Sequence, residues 1–282
     1  MTASGGRGER IGAAFARARG ADRVALVPYV MAGYPDLATS EALAVGLAEA
    51  GADVLELGVP FSDPLADGAT IQHAGQVALD HGATLGSCLD LAARLSARVN
   101  TPLVLMGYYN PIYSLGVDRF AEHAAASGVA GLIVPDLPPE EAGPLARAAS
   151  AHGIELIYLV TPSSPDQRIA QVAQAAGATG HGFVYCVSLS GVTGARTALP
   201  DQLGAFLARV RARTPLPLAV GFGVSRPEHV AAVGALADGA VMASTLIDAV
   251  DGAPERERVA AGVARFQWLA TGAPRTEPPG GV

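Results

Sequence analysis

The run Gly51-Ala52-Asp53-Val54-Leu55-Glu56-Leu57-Gly58-Val59-Pro60 decides how this chain folds. It follows a helical segment, Thr39–Ala50, and glycine stands at the junction. Glycine just past a last helical turn takes the left-handed conformation that ends the helix, and a new strand begins behind it. The same signal recurs at Ser127-Gly128-Val129 and Ala176-Gly177-Ala178. The strand itself is apolar almost throughout, the pattern of a parallel strand buried on both faces.

Working outward, strands are expected near Ala25–Ala32, Ala52–Val59, Pro102–Gly107, Gly131–Val134, Glu155–Val160, Gly182–Val187, Pro217–Gly221 and Gly239–Met242. Helical periodicity fills the gaps: Thr39–Ala50, Thr70–His81, Leu85–Arg98, Gly116–Ser127, Glu140–His152, Pro165–Ala176, Pro200–Arg213, Arg226–Ala235 and Glu255–Thr271. Eight strands alternating with helices over about 250 residues is the arithmetic of a (β/α)8 barrel. A doubly wound open sheet is the rival, but no GxGxxG follows the first strand. The expected fold is therefore α/β, a single-domain barrel over residues 1–271. An extra helix at Gly5–Arg19 closes its floor, and a Pro/Gly-rich tail occupies 272–282.

Composition narrows the function. The 282 residues are 50% hydrophobic and 16% charged, which excludes a disordered chain. A net charge of −7 argues against nucleic acid or anionic membrane as the main partner. No apolar run is long enough to span a bilayer, and Met1–Arg10 lacks the apolar core of a secretory signal. Cys88 and Cys186 stand alone without metal spacing, consistent with a reducing cytoplasm. Lysine is absent, so all 19 basic residues are arginine. Schiff-base catalysis, covalent pyridoxal phosphate anchoring and a P-loop are thereby excluded. The six histidines do not fall on adjacent strand ends, so no metal and no tightly held cofactor is expected.

Barrel active sites lie at the C-terminal ends of the strands. Glu56 interrupts an apolar strand there. It is either a structural glutamate paired with an arginine, or an inward carboxyl whose burial raises its pKa into an acid–base range. Asp67, in the loop Phe61–Gly68, either holds a substrate N–H or caps the next helix, with Thr70 competing for the cap. Asp63 reads as a turn residue. Tyr108, Tyr109, Asn110, Asp136 and Thr161 follow strands three to five, and Asp136 is as fit to orient a loop as to touch substrate. Tyr185 lies within strand six, and either places a phenol on the reacting centre or only hydrogen-bonds within the barrel mouth. The loop Ser188–Thr197 carries Ser190, Gly191, Thr193 and Gly194 and suits a closing lid. Gly223 follows strand seven, and Ala243 and Ser244 open a short helix after strand eight. Barrels frequently bind phosphate at this place through backbone N–H groups, with no need of lysine; the alternative is that these glycines only permit tight turns.

These residues fall in blocks that carry a resemblance. Val54-Leu-Glu56-Leu-Gly-Val-Pro-Phe-Ser-Asp-Pro-Leu-Ala-Asp67-Gly68 closely resembles the signature of the tryptophan synthase alpha subunit. So do Val27-Pro-Tyr29-Val, Met106-Gly-Tyr-Tyr-Asn110-Pro, Val134-Pro-Asp136-Leu-Pro and Ser190-Gly-Val-Thr-Gly194, in order from about residue 8 to 270. The resemblance implies a lyase that splits indole-3-glycerol phosphate into indole and glyceraldehyde 3-phosphate without lysine or metal. On that model Glu56 moves the protons, Asp67 holds the indole N–H, and Tyr185 stands by the reacting centre. Tyr29 and Tyr108 line the indole pocket, and Gly194, Gly223, Ala243 and Ser244 hold phosphate. It also implies a pyridoxal-phosphate beta subunit as partner in an alpha2-beta2 complex of tryptophan biosynthesis. The alternatives are a stand-alone lyase releasing indole, a non-catalytic partner of the beta subunit, and another phosphate-binding barrel. Departures are Tyr29 for a frequent phenylalanine, Ala243 for glycine, Ala69 for proline and Val77 for arginine.

Overall fold

The computed structural model describes residues 6–187, 201–221 and 223–274. Nine parallel strand segments form one sheet, in the order β5-β4-β3-β2-β1-β9-β8-β7-β6. They are β1 Ala25–Met31, β2 Leu55–Gly58, β3 Leu103–Met106, β4 Val129–Ile133, β5 Glu155–Ile157, β6 Leu159–Val160, β7 Val184–Val187, β8 Leu218–Gly221 and β9 Gly239–Met242. β5 and β6 stand at opposite ends of this order, yet only Tyr158 separates them in sequence. The eight expected strands are thus present, with the fifth broken in two at the point where the sheet closes on itself. The Tyr158 carbonyl accepts a hydrogen bond from the Tyr185 N–H at 3.0 Å, carrying the ladder across the break.

Alternation along the strands sorts the core into two layers. Val27, Val54, Val104, Ile133, Ile157, Ala219 and Val241 fill the barrel interior. Their chain neighbours Leu26, Leu55, Leu103, Leu132, Leu218 and Ala240 pack outward against the helices. Successive strand residues point to opposite faces, so Glu56, two residues after Val54, belongs to the interior set.

The extra N-terminal helix is α1, Glu9–Gly20, shorter at its start than Gly5–Arg19. Its buried face, Ile11, Ala14, Phe15 and Ala18, enters the interior layer and plugs the floor. Two glycines make room for it. A Cβ at Gly131 would lie 2.9 Å from Ile11 Cδ1, and one at Gly239 would lie 2.8 Å from Phe15 Cε1. Beside the plug, Arg23 grips Asp53 bidentately at 2.5 and 2.7 Å, and Asp53 also accepts from the Leu26 N–H at 2.8 Å. That pair pins the entry of β1 to the entry of β2.

The helices that matter for the site are α2 Leu37–Glu49, α3 Ala69–Asp80, α4 Leu85–Arg98, α5 Tyr109–Leu115, α6 Val117–Ala126, α7 Gly143–Ala151, α8 Asp166–Gly177, α9 Asp201–Arg211, α10 Pro227–Gly234, α11 Ser244–Asp251 and α12 Arg258–Ala270. α5 is not among the expected helices; its Pro111 stands in the first turn, where proline is tolerated because its missing N–H would be unpaired anyway. Gly51 and Gly128 take left-handed φ of 102° and 78°, as their helix-ending role requires. The third signal is corrected: Gly177 stays inside α8, and the left-handed residue is Gly180, φ 77°. The 275–282 part of the expected tail, and the Ser188–Thr197 loop, lie outside the described residues.

Candidate active site

Glu56 and Tyr29 stand opposite each other on β2 and β1, and Glu56 stands opposite Val104 on β3. Glu56 is 1% exposed, and neither carboxyl oxygen has a hydrogen-bond partner among the described residues. No arginine pairs with it among the described residues, so the structural reading of this glutamate fails. Burial, and secondly the charge of Asp67, push its carboxyl up to about 8. A buried, unpaired carboxyl avoids the desolvation penalty by keeping its proton.

Asp67 is half-buried in the loop after β2. The residue capping α3 is Gly68, with no side-chain cap, so neither Asp67 nor Thr70 serves that role. Burial raises the Asp67 carboxyl, and the Tyr108 hydroxyl beside it pulls the other way. The Tyr108 hydroxyl accepts from the Ala66 N–H at 3.0 Å, which ties the aspartate loop to the end of β3. Phe61 stacks on the Tyr108 ring, centroids 5.1 Å apart at 26°. Sequence reasoning misses Phe61 as a site residue; its place inside the Glu56–Asp67 block is the signal that could have found it.

Tyr29 and Tyr185 are 4% and 8% exposed, and both phenols are raised well above their ordinary value. Burial is the main cause. For Tyr29, Asp67, Glu56, Tyr185 and Tyr108 follow in that order; for Tyr185, Glu56 and Asp67. One electrostatically connected cluster therefore unites Glu56, Asp67, Tyr29, Tyr108 and Tyr185. The phenols rest on glycines of the next strand. A Cβ at Gly58 would lie 1.9 Å from the Tyr29 hydroxyl oxygen, and one at Gly221 would lie 2.7 Å from the Tyr185 ring. Gly58→Ala is accordingly expected to displace Tyr29 and to lower turnover at least ~10-fold, since misplacing a group at the site by about 1 Å can cost on the order of 10²-fold in rate. Steady-state kinetics of that variant check this; an unchanged rate would mean the phenol position is immaterial.

The other candidates separate from this cluster. Asp136 accepts from the Tyr109 N–H at 3.0 and 3.2 Å and so orients the start of α5. Thr161 bonds Ser163 and Ser164 within its own turn. Asp63 is exposed and accepts from the Ser62 hydroxyl, a turn residue. Asn110 is exposed on α5. Gly223 has φ 27°, and among the described residues beyond its chain neighbours no atom lies within 4 Å of an added Cβ. Ser244 begins α11 and Ala243 is its N-cap residue. Ser190, Gly191, Thr193 and Gly194 lie outside the described residues. Of the departures, Ala69 is the first residue of α3 and Val77 packs against the outer core.

A parallel barrel with a buried carboxyl of raised pKa at its strand ends, beside a second carboxyl and three phenols, has the form of a barrel enzyme equipped for acid–base chemistry. The family model for the tryptophan synthase alpha chain matches residues 15–272. The tryptophan synthase alpha chain of Roseiflexus sp. strain RS-1 is 52% identical over 255 residues, covering 90% of this chain and 96% of its own. The solved structure of Mycobacterium tuberculosis tryptophan synthase is 37% identical at TM-score 0.86, covering 95% and 99%. That of the tryptophan synthase complex of Pyrococcus furiosus is 36% identical at TM-score 0.80, covering 88% and 98%. This chain belongs to the tryptophan synthase alpha chain family.

Proposed function

We propose that this chain is a carbon–carbon lyase that cleaves indole-3-glycerol phosphate to indole and glyceraldehyde 3-phosphate in tryptophan biosynthesis. The observation that carries the reading is the buried, unpartnered Glu56 carboxyl with its pKa raised to about 8, next to Asp67. At neutral pH Glu56 holds its proton and is an acid ready to protonate C3 of the indole ring. Protonation there turns the ring into an indolenine, whose cationic nitrogen makes it an electron sink. The carboxylate left on Glu56 then takes the proton of the glycerol hydroxyl. The carbon–carbon bond breaks, the aldehyde forms, and the bonding electrons return to the ring. One carboxyl thus gives and takes one proton, and the cycle is closed. Asp67 holds the indole N–H and stabilises its positive charge. Tyr29 and Tyr108 flank the ring, and Tyr185 stands by the reacting carbon. Burial keeps the three phenols neutral, so they serve as hydrogen-bonding and packing groups and leave the acid–base work to Glu56.

Gly223 and the first turn of α11 at Ser244 hold the phosphate, because the first amides of a helix have no partner within it and the helix dipole favours an anion there. Ala243 puts a methyl where the approach must be close. Gly194 and the lid residues Ser190, Gly191 and Thr193 complete the enclosure. The partner is a tryptophan synthase beta subunit in an alpha2-beta2 complex, supported by the complex that the Pyrococcus furiosus relative forms. The compartment is the cytoplasm; among the described residues no helix is long and apolar enough to cross a membrane.

The test is indole release from indole-3-glycerol phosphate by the purified chain, with and without a beta subunit. Weak release that rises strongly with the partner supports the full reading. High release indifferent to the partner would replace it by a stand-alone lyase, and no release in either case would refute the lyase.

A further inference from the structure

Tyr34 stands three residues beyond β1, in the loop leading to α2, and is 5% exposed. Its hydroxyl donates to Asp251, the last residue of α11. A carboxylate at the C-terminal end of a helix opposes the helix dipole, which favours cations there. Asp248, one turn earlier on α11, adds a second negative charge near the same phenol. Two acidic residues at that end need compensation from outside the helix. Tyr34 supplies a hydrogen bond, and Arg258, the first residue of α12, supplies the positive charge acting on Tyr34 and on Asp36. Arg258 Nε is buried, with no hydrogen-bond partner among the described residues. Asp36 caps α2, accepting from the Thr39 N–H at 2.8 Å. On the other side of the ring, His73 of α3 sits edge-on at 6.4 Å and 71°. Tyr34 therefore touches both the helix that follows Asp67 and the helix that follows β9.

α11 has eight residues, so its two ends are only about 12 Å apart. A helix this short couples its two ends closely, so a displacement at Asp251 bears on Ser244. Binding geometry at a site tolerates only about 0.5 Å of such displacement.

We propose that Tyr34 is a positioning residue for phosphate: by holding Asp251 it fixes α11 and so aims the amides at Ser244 and Thr245. The inference rests on the reading of the α11 N-terminus as the phosphate site.

The experiment measures, by calorimetric titration, the affinity of the purified chain for glycerol 3-phosphate, which carries the phosphate without the ring, and for indole, which carries the ring without the phosphate. The proteins are the unmodified chain, Tyr34→Phe, Asp251→Ala and the double variant. Each single change is expected to weaken glycerol 3-phosphate about three- to tenfold, the loss that goes with one such hydrogen bond. Indole affinity stays within about twofold, and the double variant is no weaker than either single one, because both remove one bond. In turnover of indole-3-glycerol phosphate, KM rises and kcat holds. Equal loss for both ligands would reveal a general loosening of the fold and overturn the proposal. So would additive losses in the double variant, or glycerol 3-phosphate affinity unchanged by Tyr34→Phe. Failure of the unmodified chain to bind glycerol 3-phosphate would instead refute the phosphate site itself, and the proposal with it.

Discussion

Glu56→Gln is expected to lower indole release at least ~100-fold while the protein remains folded. At neutral pH the native residue is a neutral carboxylic acid, because its pKa is pushed up to about 8 in a pocket where its oxygens find no partner. Glutamine is also neutral and nearly the same shape, so packing around β2 is preserved. What disappears is the ability to give a proton and take one back. Catalysis by a positioned acid or base is worth about 10²–10⁴ in rate, which sets the size of the loss. Binding of indole should survive, since the proposed ring contacts are Tyr29, Tyr108 and Asp67. Single-turnover measurements on the variant check this. A rate within a few fold of the native one would place the proton transfers on another group.

The same carboxyl makes a prediction about stability. Its ordinary pKa is 4.5 and its folded value is about 8, so between these limits the folded state holds a proton that the unfolded chain has released. Stability therefore falls as pH rises across that window. The contribution is fully present below pH ~4.5, declines by ~1.4 kcal/mol per unit, and is lost above pH ~8. The whole span is several kcal/mol, because Glu56 is shielded from solvent and receives no help from a cation. Urea unfolding of the native chain and of Glu56→Gln at pH 5, 6.5, 8 and 9 isolates this contribution. The two should diverge, with the variant gaining relative stability as pH rises. Parallel profiles would show that Glu56 ionises at its ordinary pKa in the folded protein.

Much of this is legible in the chain alone. Strands of a parallel barrel are buried on both faces, so their apolar runs announce themselves, and Glu56 is conspicuous because it breaks such a run. The lack of lysine removes whole mechanisms on composition alone. Gly51 and Gly128 mark helix ends because only glycine takes left-handed φ without strain. Local signals fail where two conformations are locally equivalent. Gly177 and Gly180 both stand near the end of α8, and only packing chooses the second as the turning point. Pro111 can initiate a helix as readily as a turn. The break at Tyr158 is invisible in Glu155–Val160, because it arises from closing the sheet and not from the residues there.

What the sequence determined by itself was the set of elements, their order, and the chemical groups available: two carboxyls, several phenols and glycine-rich loops without lysine. Only the tertiary structure decided which of those groups act on one another. It joined Glu56, Asp67, Tyr29, Tyr108 and Tyr185, dismissed Asp63, Asp136 and Thr161 to turns, and set Tyr34 against Asp251, 217 residues away in the chain. The physical reason is range. Backbone preferences and strand alternation are written within a few neighbours, whereas a pKa depends on burial and on charges that reach it through space. Those exist only once the barrel has closed.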